Sequence, residues 1–569
     1  TFKRIQVRDS FSVLAGKHAI KFGGEWLHSN NSQVFRGFFT GRYIFDSVLG
    51  FLHYASPASL GPGFGPGTGE CPDGSFTTLA ICPNSPLLLY LQHAALSGPT
   101  TDAAGFSDIS NNNYALFIQD KWQIRPNLSL DYGLRWEAQI FPDPVVAPAL
   151  TAYGSNLSDP RFPSNGKIPN ATKMFQPRLG IAWDVRGNGK SAIRASWGIY
   201  NAQQNMLTQV GAITTNGVQQ QTIFSGDVPG GFVGATGFDT PGPTWPGVVV
   251  PTGVASNPGV TVFDKNYNNP RTYIANFGYT QELAKDWAGY IDLTWSKGVY
   301  LTRFVDPNSG TQLTGPAGVA ACTAVGATLS ASGVCIPTNG DLATYPGPVL
   351  FPNLGSVTDT QSSAHSLYRG FTIGTRKRFG KGFQMEANYV LSEDLDDDSN
   401  ERDPFTFRYF NKFDFRKDYT FSDRDSRHKF NMIAQTKLPL GFEFSGRIQA
   451  HTAQPITDNP LGNGNGNGVG AGAPCSPTNS ITRVVNGIDC GRNHLRKDNG
   501  FFTFDWRGSR PFHFGDRYAL TPTFEMFNSF NNRNNVNPLV TPGLFNFDGF
   551  LRQGVGDPLQ AQLAVKFTF

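Results

Sequence analysis

Charged residues are scarce in this sequence, and long apolar runs are absent from it. Asp, Glu, Lys and Arg make up 16% of the 569 residues, against about 25% in typical soluble domains. No window reaches the roughly 18 consecutive apolar residues of a membrane helix, and the mean hydropathy is -0.29. These absences exclude helical membrane spans, and they argue against a soluble domain with a charged surface and a large core.

Basic runs and catalytic motifs are also missing. The formal net charge is +4 without a cluster of Lys and Arg, which argues against nucleic acid as a partner. No HExxH or GxSxG motif occurs, and residues 187–191 lack the first Gly of a phosphate-binding loop, so this segment is predicted to be a hairpin turn. The acidic segment 393–401 lacks the Gly and the spacing of an EF-hand, and we expect a solvated loop rather than a calcium site. We predict a non-enzyme without metal or cofactor.

The six cysteines form three pairs that are close in sequence. They are Cys71 with Cys82, Cys322 with Cys335, and Cys475 with Cys490. An even number of cysteines in local pairs within Gly- and Pro-rich segments favours three disulfides and an oxidising compartment over free thiols. Zinc is a poorer explanation, because no CxxC motif occurs.

Aromatic residues are abundant, and apolar residues alternate with polar ones along most of the chain. There are 47 Phe, 18 Tyr and 9 Trp, which suits a surface in contact with lipid and its interfacial belts and excludes disorder. From residue 114, Tyr114, Leu116 and Ile118 share one strand face, and Asp120 is the one misfit on that face. Residues 128–140 alternate in the same way after a short turn, so the two segments are predicted to form a hairpin.

Long connections alternate with these short turns. They cover about residues 142–172, 202–270, 301–365, 393–426, 452–500 and 529–557. An outer-membrane barrel has short periplasmic turns and long extracellular loops, and its closed sheet pairs every backbone group within the protein. The pattern predicts an all-β fold, namely a transmembrane antiparallel β-barrel in the bacterial outer membrane.

About 17 strands are predicted. They lie near 2–13, 18–28, 35–45, one within 51–97, 113–124, 127–141, 175–185, 191–200, 271–283, 287–299, 367–379, 383–391, 428–438, 442–451, 501–510, 517–528 and 558–569. Cys71 and Cys82 lie outside the cell if the strand within 51–97 precedes them, and in the periplasm if that strand is 87–96. Barrels normally have an even number of strands with both chain ends in the periplasm, so we expect further strands upstream.

Short segments spread along the chain carry a resemblance to a known family: YALFIQDKW at 114–122, NLSLDYGLRW at 127–136, QPRLG at 176–180, NPR at 269–271, RKRF at 376–379, DSRH at 425–428, FN at 527–528 and the final Phe569. In this order, they resemble the C-terminal barrel of a TonB-dependent outer-membrane receptor of the Oar-like branch. The resemblance implies a 22-stranded barrel around an N-terminal plug, energised by the inner-membrane TonB complex. We therefore expect residues 1–569 to be the barrel domain of a larger receptor, with the plug and first strands outside this chain.

The resemblance implies import of a large or scarce ligand, such as a siderophore, a glycan or a peptide. The alternative is a passive outer-membrane pore or a structural or adhesive surface protein. Expected partners are outer-membrane lipid, the TonB complex, the barrel-assembly machinery and an external ligand. In the long loops, Trp245, Tyr345 and Phe351 are candidate ligand contacts, with plain connectors as the alternative. Phe567 and Phe569 are candidates for the barrel-assembly signal that the family suggests.

Overall fold

The structure is a computed structural model of the chain. It describes residues 1–36, 39–45, 47–71, 73–82, 85–95, 101–225, 243–248, 257–337, 343–399, 409–456, 484–485, 488–489, 491–493, 495–496, 500–534 and 557–569.

One sheet of 18 strands dominates these residues, and its strand pairings are antiparallel except for the short parallel pairing of Val260–Phe263 with Val357–Thr360. Three of the strands are short additions at its margin, Val260–Phe263, Thr420–Phe421 and Phe512–Phe514. The other 15 follow one another as an up-and-down meander: β1 Phe2–Ala15, β2 His18–Val34, β3 Phe106–Arg125, β4 Leu128–Ile140, β5 Ala171–Asp184, β6 Ser191–Asn201, β7 Arg271–Ala284, β8 Trp287–Val305, β9 Val357–Gly380, β10 Phe383–Asp396, β11 His428–Lys437, β12 Glu443–His451, β13 Phe501–Ser509, β14 Tyr518–Phe527 and β15 Gln560–Thr568.

Strand register places the apolar residues of neighbouring strands side by side. Leu116 of β3 pairs with Trp136 of β4, and Ile118 pairs with Leu134. Because side chains alternate between the faces of a strand, this register gathers the large apolar side chains on one face of the sheet. We call this the apolar face, and the opposite one the polar face. The exposure of Leu116 at 59% and Ile118 at 55% fits a surface that meets lipid.

Connections differ between the two ends of the meander, as the sequence predicts. Short turns join the strands at one end, which we call the turn side, and long connections join them at the other, which we call the loop side. Between β9 and β10, Lys381 and Gly382 have φ of 54° and 79°. Positive φ at both central positions is the geometry of the tight hairpin turn whose twist matches that of the flanking strands.

Two of the predicted strands are absent from the large sheet. Arg42–Phe45 and Leu87–Ala95 instead form a separate three-stranded sheet with Gln220–Ser225. The first has four residues, fewer than the 9 to 11 or so that a crossing strand needs, and the second begins with an apolar run rather than an alternation. The whole connection 35–105 therefore runs between the loop-side ends of β2 and β3, and Cys71 and Cys82 lie within it.

Helices and the remaining short strands also lie in the long connections. The α-helices are α1 Val48–Ala55, α2 Thr101–Gly105, α3 Met206–Thr214 and α4 Gly315–Ala324. Short strand pairs are Thr68–Glu70 with Phe76–Thr78, Ala327–Leu329 with Cys335–Pro337, Pro455–Ile456 with Leu495–Arg496, and Val484–Val485 with Ile488–Asp489. Among the described residues, no helix has both the length and the apolar character needed to cross a membrane.

The hydrophobic core of the molecule lies in these long connections, which we call together the loop layer. One cluster among the described residues joins three connections and the start of β9: Tyr153, Phe162, Val260, Val262, Phe351, Leu354 and Val357. Disulfides join Cys71 to Cys82 and Cys322 to Cys335, both within the loop layer. Cys475 and Cys490 lie outside the described residues. Burial and cross-links together hold the described part of the loop layer in a defined arrangement.

Candidate ligand-binding surface

The three aromatic residues predicted from the sequence occupy separate clusters of the loop layer. Phe351 is 2% exposed and packs its ring 5.2 Å from that of Phe162, centroid to centroid. Its backbone N–H donates to Asn308 Oδ1 at 2.8 Å, and its carbonyl accepts from Asn308 Nδ2 at 3.0 Å. Phe351 therefore ties the connection 306–356 to the loop core, and its side chain is not open to an external ligand in this arrangement.

Tyr345 holds the segment that carries Lys412. Its hydroxyl accepts a hydrogen bond from the backbone N–H of Lys412 at 2.9 Å, and the Lys412 ammonium lies 4.4 Å from the centre of its ring. Phe413 packs edge-on against the same ring at 5.5 Å. Burial raises the pKa of the Tyr345 hydroxyl above its ordinary value, so the group stays neutral and acts as a hydrogen-bonding anchor.

Lys412 is enclosed by oxygen atoms of the segment that follows β8. Its Nζ donates to the carbonyl oxygens of Gly310 at 2.6 Å and Pro307 at 3.1 Å, and to Ser309 Oγ at 3.0 Å. Burial lowers the pKa of Lys412 to about 8, and the nearby Asp306 carboxylate opposes that shift. The ammonium thus links two connections that are about a hundred residues apart in sequence.

Asp306 is the buried carboxylate of this group. Burial raises its pKa to about 6, while the backbone N–H groups of Val357 and Asn308 act in the opposite direction. Those two groups donate to Asp306 Oδ1 at 3.1 and 2.8 Å. A buried carboxylate with amide donors and an ammonium nearby is compensated rather than isolated, so Asp306 and Lys412 act together to order residues 306–310.

Trp245 is the exposed member of the three candidates. Its side chain is 39% exposed, and its ring packs edge-on against Tyr43 at 5.0 Å and Phe51 at 5.4 Å. The Tyr43 hydroxyl donates to the carbonyl of Gly247 at 2.6 Å, and the Tyr54 hydroxyl donates to that of Pro243 at 2.9 Å. The neighbouring aromatic rings hold the partly exposed Trp245 side chain in position. Trp245 therefore remains a candidate ligand contact.

A buried ionic network was not predicted from the sequence. Arg303, at the loop-side end of β8, is 0% exposed; its Nη2 lies 2.8 Å from Asp397 Oδ1, and its Nε lies 3.4 Å from Asp398 Oδ2. Its guanidinium also stacks 4.2 Å from the centre of the Phe415 ring. The pairing joins the loop-side end of β8 to the connection that follows β10.

A second arginine extends this network. Arg492 donates to the Asp396 carboxylate and lies 3.6 Å from Asp423 Oδ1. Asp396, Asp397 and Asp398 are all at most 8% exposed, so the prediction of a solvated acidic loop at 393–401 is wrong for these positions. The arginines that neutralise them come from the end of β8 and from the distant connection between β12 and β13, and no local sequence signal identifies those partners.

The polar face of the sheet carries ion pairs both within one strand, as in β4, and between neighbouring strands, as between β9 and β10. Arg135 Nε lies 2.6 Å from Glu137 Oε1, and Arg376 Nη2 lies 2.8 Å from Glu386 Oε1. These pairs give the interior of a barrel a polar, hydrated wall. Within the part of the chain that the structure describes, no group of three or more His, Cys, Asp or Glu side chains is placed to hold a metal ion.

The C-terminal aromatic residues lie on the last strand of the meander. The Phe567 ring stacks 6.0 Å from both Tyr518 and Phe569, and Phe567 and Phe569 are 55% and 82% exposed. In the described residues, β15 pairs with β14 on one side, and β1 pairs with β2 on one side. All residues of β1 are exposed. The described sheet therefore has two accessible edges.

Comparison with known proteins gives one family match. The family model described as "Outer membrane beta barrel domain" matches residues 1–547. No curated protein sequence matches the chain.

Solved structures match over the whole chain at low identity. They include the outer membrane transporter YddB from Escherichia coli (11% identity, 100% of this chain and 53% of that one, TM-score 0.48). The FrpB iron transporter from Neisseria meningitidis, F3-3 variant, matches with 10% identity, 100% and 55% coverage and a TM-score of 0.46. The siderophore receptor PirA from Acinetobacter baumannii matches with 11% identity, 100% and 54% coverage and a TM-score of 0.46. The chain spans about half the length of these structures.

Proposed function

Because the chain belongs to the outer membrane beta barrel domain family, we propose that it is the barrel of a TonB-dependent receptor that imports a large or scarce ligand. Siderophores, glycans and peptides are the ligand classes proposed, and the Oar-like branch is the proposed subgroup. The protein lies in the bacterial outer membrane, where its apolar face contacts lipid and its polar face lines the interior. The proposal assigns it no enzymatic activity.

The ordered loop layer is the observation that carries this proposal. Long connections pack around their own buried residues and are joined by the Arg303–Asp397 ion pair and the Lys412 contacts. A ligand that is scarce outside the cell must be bound tightly, and a preorganised surface loses less entropy on binding than flexible loops do. A passive pore has no need of such a surface, and this favours a receptor over a passive pore.

The two accessible sheet edges support a barrel that is larger than this sheet. In hydrocarbon, each unpaired backbone N–H or C=O costs several kcal/mol, and β1 and β15 would each expose a row of them. We propose that further strands of the same receptor close the barrel between β1 and β15, to a total of 22, and that a plug domain fills its interior. The TonB complex would act on that plug, and the barrel-assembly machinery would insert the strands.

Energy-dependent uptake tests the proposal. Cells that carry the full-length protein would be offered radiolabelled ferric siderophores, oligosaccharides and peptides, with and without a protonophore that collapses the proton-motive force. A receptor of the proposed kind accumulates one class of ligand, and accumulation stops when the gradient collapses. Entry that continues unchanged after collapse would instead identify a passive pore.

The mass of the natural polypeptide provides a second test. We expect the intact protein from outer membranes to exceed the 62.0 kDa of these 569 residues by tens of kilodaltons, enough for a plug and the remaining strands. An intact mass near 62.0 kDa would contradict the proposed domain arrangement, and closure of the sheet would then require another explanation.

A further inference from the structure

A groove crosses the apolar face of the sheet over β7, β8, β9 and β10. Its volume is about 520 Å³. The side chains that line it from the apolar face are Ala275, Phe277, Leu293, Trp295, Arg369, Phe371, Leu391 and Glu393, with Arg427 at its end beside β11. The groove therefore combines an apolar floor with charged groups, on a surface that otherwise meets lipid.

Strand register explains the shape of the groove. Phe277, Leu293, Phe371 and Leu391 stand opposite one another on four successive strands and form one apolar row. In the next row toward the loop side, Ala275 lies between Trp197 and Trp295. A methyl group between two indoles leaves a depression, and Ala275 and Trp295 both line the groove at this point.

Charged groups mark the loop-side end of the groove. Glu393 lies between two arginines, with Oε2 at 3.7 Å from Arg369 Nη1 and Oε1 at 3.4 Å from Arg427 Nη1. Two guanidiniums carry ten N–H donors, far more than a single carboxylate can accept. The Arg369 side chain is 62% exposed and that of Arg427 is 32% exposed, so donors of both remain accessible to an anion.

A second groove continues the first toward the turn side. It has a volume of about 510 Å³ and is lined by Tyr279, Ile291, Ile373 and Tyr389 among others. Each of these residues lies two positions beyond a member of the apolar row, and so on the same face of its strand. Ala387 has a small side chain and Gly289 has none, so the surface is recessed at these two positions. The two grooves together form an apolar path along the strands that begins at a pair of arginines.

We propose that this path is a specific binding site for one phosphorylated lipid of the outer leaflet. The phosphate would accept hydrogen bonds from Arg369 and Arg427, and an acyl chain would lie over the apolar row toward the turn side. The orientation agrees with the topology, because the arginines lie at the loop side, where the outer-leaflet headgroups are. Planar guanidiniums bind phosphate with two parallel hydrogen bonds, which an uncharged headgroup cannot match.

The chain contains a closely matched control arginine. Arg376 is on β9 like Arg369, its side chain is also 62% exposed, and it is also paired with a glutamate of β10, Glu386. The two arginines are seven positions apart, an odd number, so Arg376 points to the polar face. Arg376→Gln removes the same charge from the same strand but leaves the groove unchanged.

The test measures lipid binding to the full-length protein in detergent by native mass spectrometry. The probes are lipid A with two phosphates and the same lipid after enzymatic dephosphorylation. We expect the wild type to bind the phosphorylated probe more tightly, and the double variant Arg369→Gln with Arg427→Gln to weaken that binding by about tenfold or more. Arg376→Gln should bind as the wild type does. Heat-modifiable migration on gels checks that each variant forms a barrel.

A further variant separates the apolar part of the site from the charged part. Ala275→Trp fills the depression between Trp197 and Trp295, and it should weaken binding of both probes without removing a charge. The proposal is wrong if wild type binds the two probes equally, or if Arg376→Gln loses as much binding as the double arginine variant does. Either result would identify the bound lipid as non-specific boundary lipid. The proposal is also wrong if the wild type forms a dimer that Ala275→Trp dissociates, because the groove would then bind a second copy of the chain.

Discussion

Asp120 Oδ2 lies 2.6 Å from His18 Nδ1, and both side chains are on the apolar face of the sheet near the turn side. The Tyr132 hydroxyl donates to the same carboxylate oxygen at 2.9 Å, and the Trp122 ring stacks 5.4 Å from the imidazole. From Tyr114 to the end of β3, Asp120 is the one residue that breaks the apolar alternation. The contacts show that two neighbouring strands supply polar partners for a carboxylate that would otherwise face lipid.

Removal of the histidine should therefore destabilise the barrel. In His18→Leu, the carboxylate of Asp120 keeps its hydrogen bond from the Tyr132 hydroxyl but loses its contact with the imidazole. We expect this variant to lose its compact form on gels at a lower temperature than wild type, and the double variant with Asp120→Leu to recover part of the loss. His513→Leu, at an exposed histidine on the turn side, is the control. Equal behaviour of the single and double variants would show that the pair is not coupled.

The Asp306–Lys412 group should make the order of residues 306–310 depend on pH. For Asp306, the folded pKa of about 6 lies above the ordinary value of 3.8, so the stability it contributes is full at low pH and is lost as pH rises through 6. For Lys412, the folded pKa of about 8 lies below the ordinary value of 10.5, so its contribution is full above 10.5 and is lost as pH falls through 8. The loop layer around this pair should be least stable between pH 6 and 8.

Hydrogen exchange of the Asn308 and Val357 amides measures this effect, because both donate to Asp306 Oδ1. After correction for the intrinsic exchange rate, protection should be higher at pH 5 than at pH 7, by an amount equivalent to about 1 kcal/mol. Asp306→Asn keeps an acceptor oxygen but does not titrate, so it should abolish this difference. Protection that falls on acidification would show that the sign of the Asp306 contribution is wrong.

Arg303 should be essential for the loop layer but not for the sheet. Arg303→Met leaves Asp397 and Asp398 buried beside an uncharged side chain, and breaking a buried ion pair in this way costs about 3 to 5 kcal/mol. We expect proteases to cleave the connections 306–356 and 397–427 faster, while heat-modifiable migration of the barrel stays normal. Arg416→Met is the control, because the Arg416 side chain is 92% exposed. Unchanged proteolysis in Arg303→Met would contradict the role of this ion pair.

Deletion of Phe569 tests the proposed assembly signal at the end of β15. The variant loses an aromatic residue that stacks on Phe567 and should reach the outer membrane in reduced amounts, with the remainder degraded in the periplasm. Leu559→Ala, just before β15 and 42% exposed, is a control that leaves the terminal aromatic residues in place. Normal outer-membrane levels of the deletion variant would remove the basis for the signal.

Much of the sheet was predictable because its pattern is local. The faces of Leu116 and Ile118, the hairpin turn at Lys381 and the separation of short turns from long connections all follow from residues near one another in the chain. The same reasoning failed at 35–45 and within 51–97. There, Arg42–Phe45 pairs with Leu87–Ala95, and Leu87–Ala95 pairs with the distant segment Gln220–Ser225 rather than with the large sheet.

The candidate ligand-binding surface was predictable only in outline. Sequence placed Trp245, Tyr345 and Phe351 in long loops, but it could not distinguish the exposed Trp245 from Phe351, which is 2% exposed. Burial in the loop layer depends on which connections become neighbours. That is set by the order of strands in the sheet rather than by the composition of any single loop.

The sequence by itself determined the fold class, because a period of two residues and the spacing of turns act within each strand and hairpin. Tertiary structure alone decided the pairing of Arg303 with Asp397, of His18 with Asp120 and of Lys412 with the carbonyl of Gly310. These partners are about 90 to 100 residues apart in the chain. A charge that is costly to bury acquires its compensating partner only when the assembled sheet brings the two connections or strands together.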